Sequence, residues 1–200
     1  MHISEGVLKP EILIGGALIS TLIATYAFNK LKNEDIPQVA VFSALFFLAS
    51  FIHVPIGPTS VHLILNGIIG AILGIRAFIA IGIALLLQGV LFGFGGVSTL
   101  GINTFNLAFP ALLGYIIFSL HVEDGVLKKL KYFFVGFLPV SISAILLSLT
   151  LAINGESFYT ASKISLASNV PVMIIEGIIT MFAISFLEKV YPQILKRDKK

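Results

Sequence analysis

The sequence opens Met1-His2, and that pair carries coordination chemistry. A free α-amine, the amide nitrogen of residue 2 and that residue's imidazole close two adjacent chelate rings around one metal ion. The amine titrates near ~7.7–8.0 and the imidazole near ~6.5, so both become ligands at neutral pH with little proton cost. The amide nitrogen joins only when the metal displaces its proton, which Ni(II) and Cu(II) do far better than Zn(II). Three coplanar nitrogens favour square-planar geometry, and therefore Ni(II) or Cu(II). A fourth nitrogen is needed, and His62 is the best candidate. A bulky residue such as His2 behind the initiator methionine normally blocks removal of Met1. The other reading of a histidine at position 2 is an ordinary polar chain end, and composition and spacing leave both open.

Further polar residues gather around the same idea. His53 is either an additional ligand on the entry path or an interfacial histidine at a helix end, and His121 reads as interfacial. Ser60 belongs to a set of uncharged polar and glycine residues in the loops, with Gly57, Thr59, Gly95, Gly96, Ser98 and Thr99. Such backbone at membrane depth is tolerated where it is buried in protein or lines a cavity, as a lid over a site would be. Asn103 and Asn106 either orient His2 and the N-terminal segment by hydrogen bonds behind the ligands, or simply cap a loop. Glu176 is the only acid deep within an apolar stretch. An intramembrane acid calls for a partner, with Gln88, Asn66 or Ser143 available, whether for function or for a bond between helices. Gly67, Gly70 and Gly74 read as contacts for close helix packing.

The elements that position these residues follow from charge and hydropathy. Charged residues are 12% of the 200-residue chain and the apolar set is 57%, with a mean hydropathy of +1.02. A soluble domain of this size lacks the interior to hide so much apolar surface behind so few charges. No cysteine is present, which excludes disulfides, thiolate metal sites and cysteine nucleophiles. The net charge of +3 gives no case for nucleic-acid binding. Residues 12–29, 36–75 and 77–122 are free of Asp, Glu, Lys and Arg. A span needs ~20 residues, so the first stretch holds one helix and the others two each. Their turns fall at His53–Thr59 and Gly93–Asn103, the latter rich in glycine. Residues 132–155 and 168–188 add two more spans. The expected fold is an all-α integral membrane protein, a bundle of seven transmembrane helices.

With the N-terminus outside and the C-terminus cytoplasmic, eleven of the 13 Lys and Arg fall on inner segments, leaving only Lys9 and Lys163 outside. That is the positive-inside pattern. Residues 1–9 form an extracytoplasmic chelating segment, 10–192 the bundle and 193–200 a basic cytoplasmic tail, all in a single domain. The basic residues from Lys189 onward read as a stop-transfer signal and an anchor for membrane lipid headgroups. Met1–Pro10 lacks a basic n-region, and no cleavage site follows the first apolar stretch, so a signal peptide is not expected.

Three motifs carry a family resemblance. The opening Met1-His2-Ile3-Ser4-Glu5-Gly6 resembles the MHI-x-[ED]-G start of the CbiM/NikM family. Val54–Gly74 resembles its Gly-Thr-Ser-x-His segment opening a small-residue helix, and Leu87–Gly114 resembles its third signature. The similarity covers residues 1–120 well and the last two helices in hydropathy. Where many cobalt-type members have Ser-x-Ser-His-Pro, this chain reads Pro58-Thr59-Ser60-Val61-His62-Leu63, closer to the nickel-type pattern. The resemblance implies a substrate-capture (S) component of an energy-coupling-factor importer in a prokaryotic cell membrane. Its transported substrate would be Ni2+ or Co2+, destined for nickel enzymes or cobalamin synthesis. The implied ligands are the Met1 amine, the His2 amide and imidazole, and the His62 imidazole. The implied partners are cytoplasmic ATPase subunits, a transmembrane coupling (T) subunit and a small accessory membrane subunit. No Walker A segment occurs in this chain. A membrane-embedded enzyme and a passive channel are the competing readings. The first lacks a nucleophile–base or acid pair in the loops, and the second lacks a charged ring or carbonyl filter.

Overall fold

The computed structural model describes residues 2–56 and 59–195, the side chains of 53–61 excepted. Met1 and residues 196–200 of the basic tail lie outside the described residues. The α-helices are α1 (Pro10–Asn29), α2 (Ile36–Ala49), α3 (Asn66–Leu73), α4 (Ala77–Phe92), α5 (Leu100–Ser119), α6 (Val126–Ile153) and α7 (Tyr159–Val190). Between α2 and α3 stands a two-stranded antiparallel hairpin, β1 (His53–Ile56) and β2 (Thr59–His62), with His53 opposite His62 in register.

Helices dominate because lipid offers the backbone no hydrogen-bond partner, so each segment must satisfy its own N–H and C=O groups. Local signals mark their ends. Pro10 stands in the first turn of α1, where no donor is lost. α4 stops at Gly93, whose φ of +67° lets its N–H and that of Phe94 return to Gly89 and Gln88. The outward surface is apolar, with Leu22, Leu48, Phe182 and Phe186 exposed, whereas the interior holds Asn66, Gln88, Ser143, Glu176 and Thr180. This polarity, apolar outside and polar within, suits a bilayer rather than water.

Among the described residues, five runs are long and apolar enough to cross a membrane: 10–29, 66–92, 100–119, 126–153 and 156–190. The protein is therefore a multi-pass membrane protein. Two of the expected seven spans take a different form. α2 has 14 residues, about 21 Å of rise, which falls short of the ~30 Å hydrocarbon core. The third span was expected to open as a helix at His62, but His62 ends β2 and the helix starts at Asn66, with eight residues. Pro55, Gly57 and Pro58 disfavour helix here, and the hairpin pairs its own backbone instead.

α3 is the central element, and all eight of its residues are buried. It touches its neighbours backbone to backbone. A Cβ on Gly67 would strike the Val135 carbonyl of α6, one on Gly70 the Ala111 carbonyl of α5, and one on Gly114 the Gly67 carbonyl. Without a hydrophobic drive between helices in lipid, such close approach is what packs them. One end of the bundle carries the histidine-bearing loops. The other is tied by charge: Arg76 pairs with Asp35, and Lys128 of α6 with Asp124 at 2.7 Å and Glu188 of α7 at 2.5 Å.

Gly70→Leu should therefore collapse the thermal stability of the detergent-solubilised protein, overpacking costing at least ~1–3 kcal/mol. Gly15→Leu in α1, where a Cβ meets nothing within 4 Å, should melt like the parent. Equal melting of the two variants would contradict the central placement of α3.

Candidate metal centre

Residues 2–9 form an irregular segment seated against the bundle. Ile3 and Leu8 are buried apolar anchors. A segment at this depth must pair its backbone, and side chains supply the partners. Asn103, in the first turn of α5, accepts from the Ile3 N–H through Oδ1 at 3.0 Å. Its Nδ2 donates to the Ile3 carbonyl at 3.0 Å and to Thr99 Oγ1 at 3.2 Å. Asn154, just past α6, repeats the arrangement: Oδ1 accepts from Lys9 N–H and Nδ2 donates to Val7 O, both at 2.8 Å.

The glycine loop between α4 and α5 closes the remaining side. The Glu5 N–H donates to Gly95 O at 2.8 Å, and the Glu5 carboxylate accepts from Val97 N–H at 3.0 Å. Gly95 and Gly96 have φ of +81° and +144°, and a Cβ on Gly96 would overlap the Glu5 carboxylate. A Cβ on Gly95 would stand 3.0 Å from Asn103 Nδ2 and 3.7 Å from His2 Cβ. Only glycine lets this loop lie so close to the segment.

His2 then lies against His62, their rings stacked with centroids 4.8 Å apart and planes 23° from parallel. Both ring nitrogens of His2 are enclosed and have no hydrogen-bond partner. Burial holds the His2 pKa well below its usual value, reinforced by the charge of the N-terminus and of His62. The ring is thus kept neutral, with a lone pair on one nitrogen. His62 Nδ1 lies 2.9 Å from the Leu63 carbonyl. A carbonyl only accepts, so Nδ1 carries the proton and Nε2 the lone pair, the tautomer a metal needs. No group of three or more His, Cys, Asp and Glu side chains that could hold a metal occurs among the described residues.

The remaining candidates separate. Asn106 donates to Thr150 Oγ1 at 3.3 Å, linking α5 to α6 away from the N-terminal segment. Gln88 donates to Ser50 Oγ at 3.0 Å, tying α4 to the end of α2. The side chains of His53 and Ser60, like Met1, lie outside the described residues. Glu176 takes none of its expected partners. Asn66 and Ser143 bond to each other at 2.9 Å, while the Glu176 carboxyl accepts from the backbone amides of Ile64 and Leu65. Leu65 has a φ of +55°, a left-handed conformation that costs a leucine ~1–2 kcal/mol. Sequence reasoning missed Asn154 and Glu5. Asn154-Gly155 reads as a plain turn, and the signal for Glu5 was its place in the opening motif.

A family model described as cobalt uptake substrate-specific transmembrane region matches residues 2–194. A protein of Haemophilus influenzae assigned to metal transport is 38% identical over all of this chain and 98% of its own length. One of Archaeoglobus fulgidus, assigned as a fused nickel transport protein, is 25% identical over 98% of this chain and 68% of its own length. The crystal structure of a transition metal transporter superposes with a TM-score of 0.80 at 27% identity, covering 95% of this chain and 93% of that one.

Asn103→Leu should free the N-terminal segment by leaving two buried backbone groups of Ile3 unpaired, at ~1–3 kcal/mol each. Hydrogen exchange over residues 2–5 should quicken at least ~10-fold, whereas Asn106→Leu should leave it unchanged. Equal exchange in the two variants would contradict the clamp.

Proposed function

The chain belongs to the CbiM family of cobalt uptake transmembrane proteins, and from that premise we propose that it is the substrate-capture (S) component of an energy-coupling-factor importer. It is a transmembrane component of cobalt or nickel uptake and not an enzyme, as its relatives and structural neighbours are metal transporters. The ion is Ni(II) or Co(II), taken from the outer side. Its four donors are the Met1 amine, the His2 amide nitrogen, His2 Nδ1 and His62 Nε2. Amine and amide close a five-membered chelate ring, and amide and Nδ1 a six-membered one. The observation that carries this reading is the pair of stacked imidazoles, His2 with both nitrogens enclosed and unpartnered and the buried His62 with its proton held on Nδ1. A planar set of nitrogens selects Ni(II) over Zn(II), which prefers a tetrahedron.

The chain passes seven times between the two ends of the bundle, with α2 and its hairpin, then residues 62–76, as the second and third passes. Supporting this, His62, Gly95 and Asn154 meet the N-terminal segment at one end, while Asp35, Arg76, Lys128 and Glu188 meet at the other. The positive-inside pattern supports a histidine end that faces outside. Cytoplasmic ATPase subunits and a transmembrane coupling subunit supply the energy, with a small accessory membrane subunit in attendance.

Nickel titration of purified protein tests the site. Protein with a free Met1 amine should bind Ni(II) tightly. Acetylation of Met1, one added residue before it, or His62→Ala should each weaken binding by more than ~100-fold, exceeding the usual effect of a residue behind the ligands. His121→Ala should bind as the parent does. Undiminished affinity after blocking the amine would contradict the N-terminal chelate.

A further inference from the structure

Glu176 is the only fully buried carboxyl among the described residues, and it makes no ion pair among them. It receives the Ile64 N–H in a short contact, and the Leu65 N–H at 2.9 Å to Oε1 and 3.1 Å to Oε2. The carbonyl that accepts from His62 Nδ1 belongs to Leu63. Residues 63, 64 and 65 are therefore one turn that presents a carbonyl to the imidazole and two amides to α7. The turn closes through Leu65, the only residue other than glycine with positive φ among the described residues. α3 starts immediately after it, and the Ile69 N–H returns to the Leu65 carbonyl at 3.1 Å.

We propose that Glu176 is the positioning residue for the imidazole of His62. Its carboxyl gathers two amides of a turn that leucine disfavours, and so fixes the Leu63 carbonyl that sets the tautomer and rotation of the ring. The inference rests on His62 being a metal ligand, as proposed above. A ring free to rotate would still be present, but its Nε2 would no longer be held in the plane of the other donors. The residue thereby links α7 to a site otherwise built by the N-terminal segment, the α4–α5 loop, α5, Asn154 and the hairpin.

The probe is Ni(II) itself, titrated into the parent protein, His62→Ala, Glu176→Gln and Thr180→Ala, with the visible band of the bound ion recorded. Thr180 lies one turn beyond Glu176 in α7 and is equally buried. Glutamine keeps one acceptor oxygen but turns an NH2 toward a backbone amide. Glu176→Gln should bind ~10–100-fold more weakly, and its band should move from the parent's planar pattern toward that of His62→Ala. Thr180→Ala should match the parent in both respects. Melting of the metal-free proteins controls for folding, and Glu176→Gln should melt close to the parent. Parent affinity and band in Glu176→Gln would overturn the proposal. So would an affinity lost only in step with melting, with an unchanged band. If the parent and His62→Ala bind alike, His62 is not a ligand, and the proposed metal site falls together with this inference.

Discussion

The hydrogen bonds between the Asn103 carboxamide and both backbone groups of Ile3 are the constraint on which the candidate centre depends. A chain end normally frays because nothing repays its lost conformational entropy. Here the amide acts as a single residue of β-strand, pairing N–H and C=O of the residue after His2. Asn154 adds a second clamp further on, accepting from the Lys9 N–H and donating to the Val7 carbonyl, and Ile3 and Leu8 add buried apolar surface. Residues 3–9 are thereby held as a secondary-structure element would hold them, and the His2 ring just before them stacks on His62.

The rest of the bundle makes room for that segment. α3 is short because the residues before it form the hairpin and the turn that carry His62 to the bundle's end. A short, fully buried helix in lipid needs unusual support, and it has two kinds. Gly67 and Gly70 let α5 and α6 approach its backbone directly. Glu176 takes the amides at its leading edge, which hydrocarbon would leave unsatisfied. Side chains of Asn66 and Ser143 add a bond inside the same contact. Packing and polar pairing thus converge on the helix that follows His62.

Much of this was legible in the sequence. The charge-free stretches marked the apolar runs because lipid excludes Lys, Arg, Asp and Glu whatever the fold. His2 stood out because it follows the first α-amine and His62 because that chelate needs a fourth nitrogen, and the structure stacks their rings. The glycine loop at Gly95 and Gly96 was legible as a lid over a site, but not what it covers, since Glu5, the side chain that needs the space, lies 90 residues earlier. Helix lengths were less readable: hydropathy does not separate a span in one helix from a span in a helix, a hairpin and a turn. Glu176 was marked as needing a partner, but the partner is backbone, which no side-chain inventory reveals.

The proposed site requires a planar ion between the imidazoles of His2 and His62. The X-ray absorption spectrum of Ni(II) bound to the protein with a free Met1 tests it most directly. The expected spectrum has the edge feature of a square-planar ion, four nitrogen donors, and scattering from two imidazole rings. A six-coordinate or tetrahedral pattern, or scattering from a single ring, would contradict it.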